Sequence, residues 1–323
     1  MAQSEQSRLA LAGERAIRDK VIPAFRSLKS FYETRYLQQA SQRLSLSKLP
    51  GGPMYYQAWL DWYTTTHMTP RQIHNIGLAE VARIGSQMDA IVTTSGFKGS
   101  RPEFQKFLSS DPQFFFTKPE DRLAALRDIA KRADAALPQL FAELPRQTYG
   151  IRAMRPEEGN NAERYMPGSL DGGRPGWFEA NVNDLTTRPK WTMESLLLHE
   201  AVPGHHLQTS RAQELKLPAF RRFAWFAAYG EGWALYAESL GDEMGFYKDP
   251  NQKFGNLSFE MLRACRLVVD TGLHAFDWTR DQAIEYMVNH TGLTRADVTA
   301  EVDRYLVWPG QATAYKIGEL KIQ

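Results

Sequence analysis

Cysteine is nearly absent from this 323-residue chain: Cys265 stands alone, which excludes an intrachain disulfide framework and any multi-thiolate zinc site. A bound metal would therefore need histidine and carboxylate ligands. A basic block is missing too. Lys and Arg number 39 against 37 Asp and Glu, a formal charge of +2, so neither a nucleic-acid groove nor a membrane-binding face is expected. No stretch approaches the roughly 18 to 20 apolar residues of a membrane span. The opening MAQSEQSRLALAGERAIRDK interleaves charges with apolar residues and lacks the continuous core of a secretory signal. The default expectation is a cytoplasmic protein, exported only if a longer precursor exists. Nucleophile signatures such as G-x-S-x-G are also absent. What is present is ordinary for a folded chain: 43% hydrophobic and 24% charged content, enough for one large core or two smaller ones.

The patterning is mainly helical. Thr69 and Pro70 read as N-cap and first turn of a helix to Ile91, with Ile73, Ile76, Val81, Ile84, Met88 and Ile91 at helical intervals. Pro119, Glu120 and Asp121 open another, to Leu137. Residues 147–190 are rich in Gly, Pro, Asn and Asp and predict loop, with short strands around YGIRAM and GWFEANV. Helical spacing then returns at 192–202, 205–216, 220–244, 252–276, 280–290 and 295–306, with a last helix after Pro309. We expect one domain over 1–323: a helical part (1–146), a loop-and-strand part (147–190) that forms a small sheet, and a helical part carrying the site (191–323).

Within LLLHEAVPGHHLQTS (196–210) lie three of the seven histidines, next to a glutamate. In H-E-x-x-H zinc peptidases two histidines one turn apart bind zinc and the glutamate between them is the base. Here the position four after His199 is Pro203. On a straight helix His205 would be rotated roughly 120° from His199, and His206 would lie about 10 Å further along the same face. Pro203 cannot continue that helix, and Gly204 permits backbone angles closed to other residues. An outward bulge of this pair by two residues returns His205 to the one-turn position, making HEAVPGH an expanded motif. A third ligand is needed, and in YGEGWALYAESLGDEMG the glutamates Glu231 and Glu238 share a helix face, seven residues apart. Glu231, between two glycines, is assigned as ligand and Glu238 as its alternate or as a supporting carboxylate.

HEAVPGHHLQ, GEGWALYAESL, DGGRPGWFEANVNDLTTRPKWTMESLLLHE and RYLVWPGQATAYKIGEL together closely resemble the bacterial family of unknown function 885, regarded as zincin-like and gluzincin-related. The resemblance runs from about residue 15 to the end of the sequence, with its motifs in the same order. It implies a zincin-like, mainly α metallopeptidase fold with a small β-sheet beside the active-site helix, a deep substrate channel, and zinc held by His199, His205 and Glu231, with Glu200 as general base. It favours His205 over His206 as second ligand and leaves His206 to substrate contact. Many relatives are longer at the N-terminus and carry export signals, so a further helical region walling the cleft is expected.

The implied reaction is hydrolysis of a peptide or small amide by activated water, with Glu200 moving the proton. Tyr315 is the first candidate for a second electrophile, because related zinc peptidases bring a C-terminal tyrosine to the site; His274 is the second. GWFEANV reads as an edge strand able to pair with an extended substrate, with Asn181 adding a side-chain hydrogen bond. Arg263, Arg266 and Lys316 read as surface charge or as holders of a substrate carboxylate; His67, His74 and His290 read as structural. Two other readings remain: a non-haem iron oxygenase, which also uses two histidines and a carboxylate but has no need of Glu200, and a non-catalytic binding protein.

Overall fold

The structure, a computed structural model, describes residues 2–40, 44–159 and 161–323. The chain divides at 44/45 into two compact units. In the first, α1 (Gln3–Ala16), α2 (Ile22–Phe31) and α3 (Leu37–Gln39) follow one another through π-helical turns at Ile17–Val21 and Tyr32–Tyr36. The first of these turns precedes Pro23, whose ring would meet the Asp19 carbonyl in a regular α-helix.

The second unit holds α4 (Gly52–Thr64), α5 (Pro70–Thr94), α6 (Arg101–Ser110) and α7 (Pro119–Ala136) before a three-stranded sheet. After it come α8 (Met193–Glu200), α9 (His205–Glu214), α10 (Ala219–Phe223), α11 (Ala227–Ser239), α12 (Pro250–Ala275), α13 (Arg280–Thr291), α14 (Arg295–Val307) and α15 (Ala314–Ile322). The chain is thus mainly helical with a small sheet. Thr69 starts α5 as the sequence predicts: its hydroxyl accepts from the Gln72 amide, and the Gln72 side chain accepts from the Thr69 amide. Beside a small cluster of Tyr56, Leu60, Ile73, Leu267 and Ile317, two larger apolar cores result among the described residues. One joins α5 to α12 through Ile84, Met88, Met261, Val268 and Val269. The other lies under α8 and joins Leu126, Ile151, Phe178, Leu197 and Leu198. Each leucine buried in this way stabilises the fold by roughly 1.5–3 kcal/mol.

Two expectations are corrected here. The sheet order is β1 (Tyr149–Ala153), β3 (Gly176–Ala180), β2 (Arg164–Met166), with β3 parallel to β1 and antiparallel to β2. The GWFEA segment is therefore the central strand, paired on both sides, and offers no free edge to a substrate; the short β2 next to it has too few residues to leave a clear pattern. The helix expected over 220–244 is broken. Ala224 and Phe226 have extended backbones, which turns Trp225 back over Gly230, where a Cβ would lie 2.3 Å from the indole. That contact between residues five apart accompanies a three-residue break, 224–226, between α10 and α11.

Candidate metal centre

Helix α8 is enclosed nearly all round: seven of its eight residues are buried, the polar Glu194, Ser195, His199 and Glu200 among them. It stops at Glu200, because Ala201 leaves the helical region at φ −103°, ψ −104°. The Val202–Pro203 bond is cis, and a new helix starts at His205. The expected bulge is thus a complete break of four residues. Gly204 makes it feasible, since a Cβ there would lie 1.9 Å from the His199 carbonyl oxygen and 2.4 Å from that of Leu198. Across the break the His206 amide donates to the Ala201 carbonyl at 3.0 Å. From α11, the Trp233 indole donates to the Pro203 carbonyl at 2.8 Å.

The break turns the two imidazoles toward each other. Their ring centroids are 4.8 Å apart, with the rings nearly perpendicular. Glu231 Oε2 lies 3.8 Å from His199 Nε2 and 3.5 Å from His205 Nε2, and one ligand atom from each of the three residues falls within 4.8 Å of the others. Among the described residues this is the one such group of three. Bonds of about 2.0–2.2 Å at tetrahedral angles place donors roughly 3.3–3.6 Å apart; the 3.5 and 3.8 Å separations to Glu231 stand close to that, so the three residues could hold a single ion and leave a fourth position. Burial alone would raise the Glu231 carboxyl; the two imidazoles outweigh it and hold it well below the usual carboxylate range.

Behind His199, Glu238 Oε1 sits 2.7 Å from Nδ1, and Glu238 Oε2 accepts from Ser195 Oγ at 2.6 Å. A carboxylate on Nδ1 leaves Nε2 with the lone pair a metal requires. Arg263 Nη2 approaches Glu238 at 3.7 Å, and Asn256 donates to Ser195 Oγ at 3.3 Å. Glu238 therefore supports His199, making the contact that a supporting carboxylate would make. Ser195 and Arg263 are missed in that part, although Ser195, one turn before His199, carries a legible signal. Burial raises the Glu200 carboxyl; His199 and His205 pull it down and Glu231 and Glu163 push it up, for a net rise. Tyr315 is raised by burial and then by the charge of Glu231, and Arg266 stacks on its ring at 4.7 Å.

The family model described as "Bacterial protein of unknown function (DUF885)" matches residues 1–323. The chain belongs to that family. Among solved structures, this DUF885 chain is 36% identical to a "putative lipoprotein" from Colwellia psychrerythraea, with a TM-score of 0.95, over 100% of this chain and 56% of that one. It is 18% identical to a "putative lipoprotein of unknown function" from Shewanella oneidensis, with a TM-score of 0.73, over 100% of this chain and 60% of that one; this second likeness shows the fold alone. The DUF885 chain thus spans less than two thirds of either relative. No curated protein matches it. Among its described residues no helix is long and apolar enough to cross a membrane.

Three residues expected at the site have other work. His206 is buried and turned into the fold: Nδ1 meets the Tyr165 hydroxyl at 2.9 Å and Nε2 the Gln147 carbonyl at 3.1 Å, so it pins α9 to the sheet instead of contacting substrate. His274 accepts from the Leu46 amide at Nδ1, 3.2 Å, and reaches the Tyr305 carbonyl from Nε2 at 3.0 Å. Both of its nitrogens are spent on backbone, and neither is left to stabilise an oxyanion. Asn181 is wholly buried; it donates to the Gly159 and Asn161 carbonyls and accepts from the Asn183 amide. It shapes the loop after β3. Lys316 is enclosed by Glu80, Glu260 and Glu319 at 2.6–3.0 Å, and Arg266 is paired with Glu301 at 2.9 Å. Neither is surface charge. His67, His74 and His290 each have a local partner, in Asp61, Thr271 and the Tyr286 carbonyl.

Proposed function

We propose that this protein is a zinc-dependent hydrolase of peptide bonds on a zincin-like, gluzincin-related fold. The reading is carried by the convergence of His199, His205 and Glu231 within the reach of one ion. Zinc held there would supply a Lewis acid for the scissile carbonyl and lower the pKa of water. The remaining steps belong to the chain. Glu200 follows a ligand directly and closes the same buried helix. Its raised carboxyl suits a group that takes a proton from water and returns it to the leaving amine. Glu238 fixes the tautomer and ring of His199 through the bond to Nδ1. Tyr315, whose hydroxyl feels the charge of Glu231, would donate a hydrogen bond to the developing oxyanion. The same ligand set suits non-haem iron, and the buried carboxyl beside His199 is what favours hydrolysis.

The test is a mixed peptide library digested with wild type and Glu200→Gln, alongside elemental analysis of both. We expect stoichiometric zinc in each and cleavage lowered by about 10²–10⁴-fold in the variant. Equal cleavage by the two proteins removes Glu200 as base. Stoichiometric iron with little zinc replaces hydrolysis by the oxygenase reading.

A further inference from the structure

A cavity of about 320 Å³ opens between α8, α12, the segment 186–192 and the turn after α13. Its walls include Phe115, Trp191, Leu196, Phe259, Leu262 and Leu293. All six are only partly buried; Trp191, Leu196, Leu262 and Leu293 pack on one side against the neighbouring cores and leave the rest of their surface to the cavity. The volume lies at the lower end of the roughly 300–1,000 Å³ of small-molecule sites, and an aromatic and aliphatic lining is their usual character.

Two helices run from this cavity to the metal-binding group. On α8, Leu196 precedes His199 by three residues and Glu200 by four, so it shares their flank one turn away. On α12, the Arg263 guanidinium lies 5.0 Å over the Phe259 ring and 3.7 Å from Glu238, the partner of His199. Glu163, also in the cavity wall, bears electrostatically on Glu200. An apolar space that shares one helix flank with the base and abuts the support of a ligand is placed to receive a side chain next to the reacting bond. The charged groups of its wall nearly balance, with Glu163 paired to Arg122 at 2.9 Å and Arg188 in the wall as well as Asp297, so the apolar lining decides what it takes.

Resting on the peptidase reading, we propose that this cavity is the substrate subsite for one bulky apolar side chain, aromatic or branched aliphatic, adjacent to the scissile bond. Leu293→Trp fills it from a turn distant from the metal ligands, and Leu262→Phe fills it from α12 should the first variant not fold. Blocked peptides carrying Phe, Leu, Gly or Asp at each position are digested, and a blocked 4-fluorophenylalanine tripeptide is titrated into Glu200→Gln, with and without the filling substitution, by ¹⁹F NMR. We expect roughly 10- to 100-fold faster cleavage of Phe and Leu peptides than of Gly or Asp peptides at one position. That preference collapses in the filled protein, and the fluorinated peptide binds only where the cavity is open. Binding that depends on the open cavity without cleavage of any peptide keeps the subsite and discards the peptidase reading. Cleavage whose preference the filling leaves unchanged, or equal binding to open and filled proteins, overturns the subsite.

Discussion

Glu238 is gripped at both oxygens, by His199 at one and Ser195 at the other, so the ring it orients is fixed before any ion arrives. Glu238→Gln keeps the shape but presents an amide where a carboxylate faced Nδ1. We expect zinc affinity to fall about 10- to 100-fold, measured by competition with a chromogenic chelator, while the helical circular dichroism signal is retained. His274→Ala should act in the opposite sense. Two backbone groups, Leu46 N–H and the Tyr305 carbonyl, lose their partner, at roughly 1–3 kcal/mol each when left unsatisfied. The midpoint of urea unfolding should drop while kcat of the surviving folded protein stays near wild type. A large loss of kcat at unchanged stability would restore His274 to the chemistry.

At the scale of elements, α11, the helix that carries Glu231, is held by α15 at a crossing of two glycines. A Cβ on Gly318 would lie 1.9 Å from the Ala228 carbonyl oxygen, and one on Gly232 would lie 2.4 Å from the Gly318 carbonyl carbon. Gly318→Ala must push the helices apart and move Glu231 with them. Overpacking of this kind costs about 1–3 kcal/mol or more, so both the melting temperature and zinc affinity should fall together. Next to Gly318, Glu319 is pushed up to about 7, by burial first and by Glu260 and Glu238 besides, with Lys316 opposing. The folded state therefore prefers the neutral acid. The stability this gives is full below the unfolded value near 4.5 and is lost as pH rises through about 7. Urea unfolding at pH 5, 6 and 8 should show wild type losing more stability over that interval than Glu319→Gln, by on the order of 2–3 kcal/mol.

For the whole molecule, helical periodicity was readable wherever a stripe faced a core, as in α5, and the approach of His199, His205 and Glu231 was readable because Pro203 cannot continue the helix that carries His199. Position along the sequence says less about partners. Nothing local marks β3 as the middle strand, since β2 is three residues long, or marks Trp225 as the residue that folds back on Gly230. His206, His274 and Asn181 look like site residues because their polarity is visible and their burial is not; each turns out to satisfy backbone groups brought together from distant segments. Helix α15 follows α11 in synthesis, and until it docks, the backbone around Glu231 has water where Gly318 will be. A nascent chain can thus carry His199, His205 and Glu231 and still lack the contact that sets the position of α11, so the proposed site takes shape only once α15 has docked.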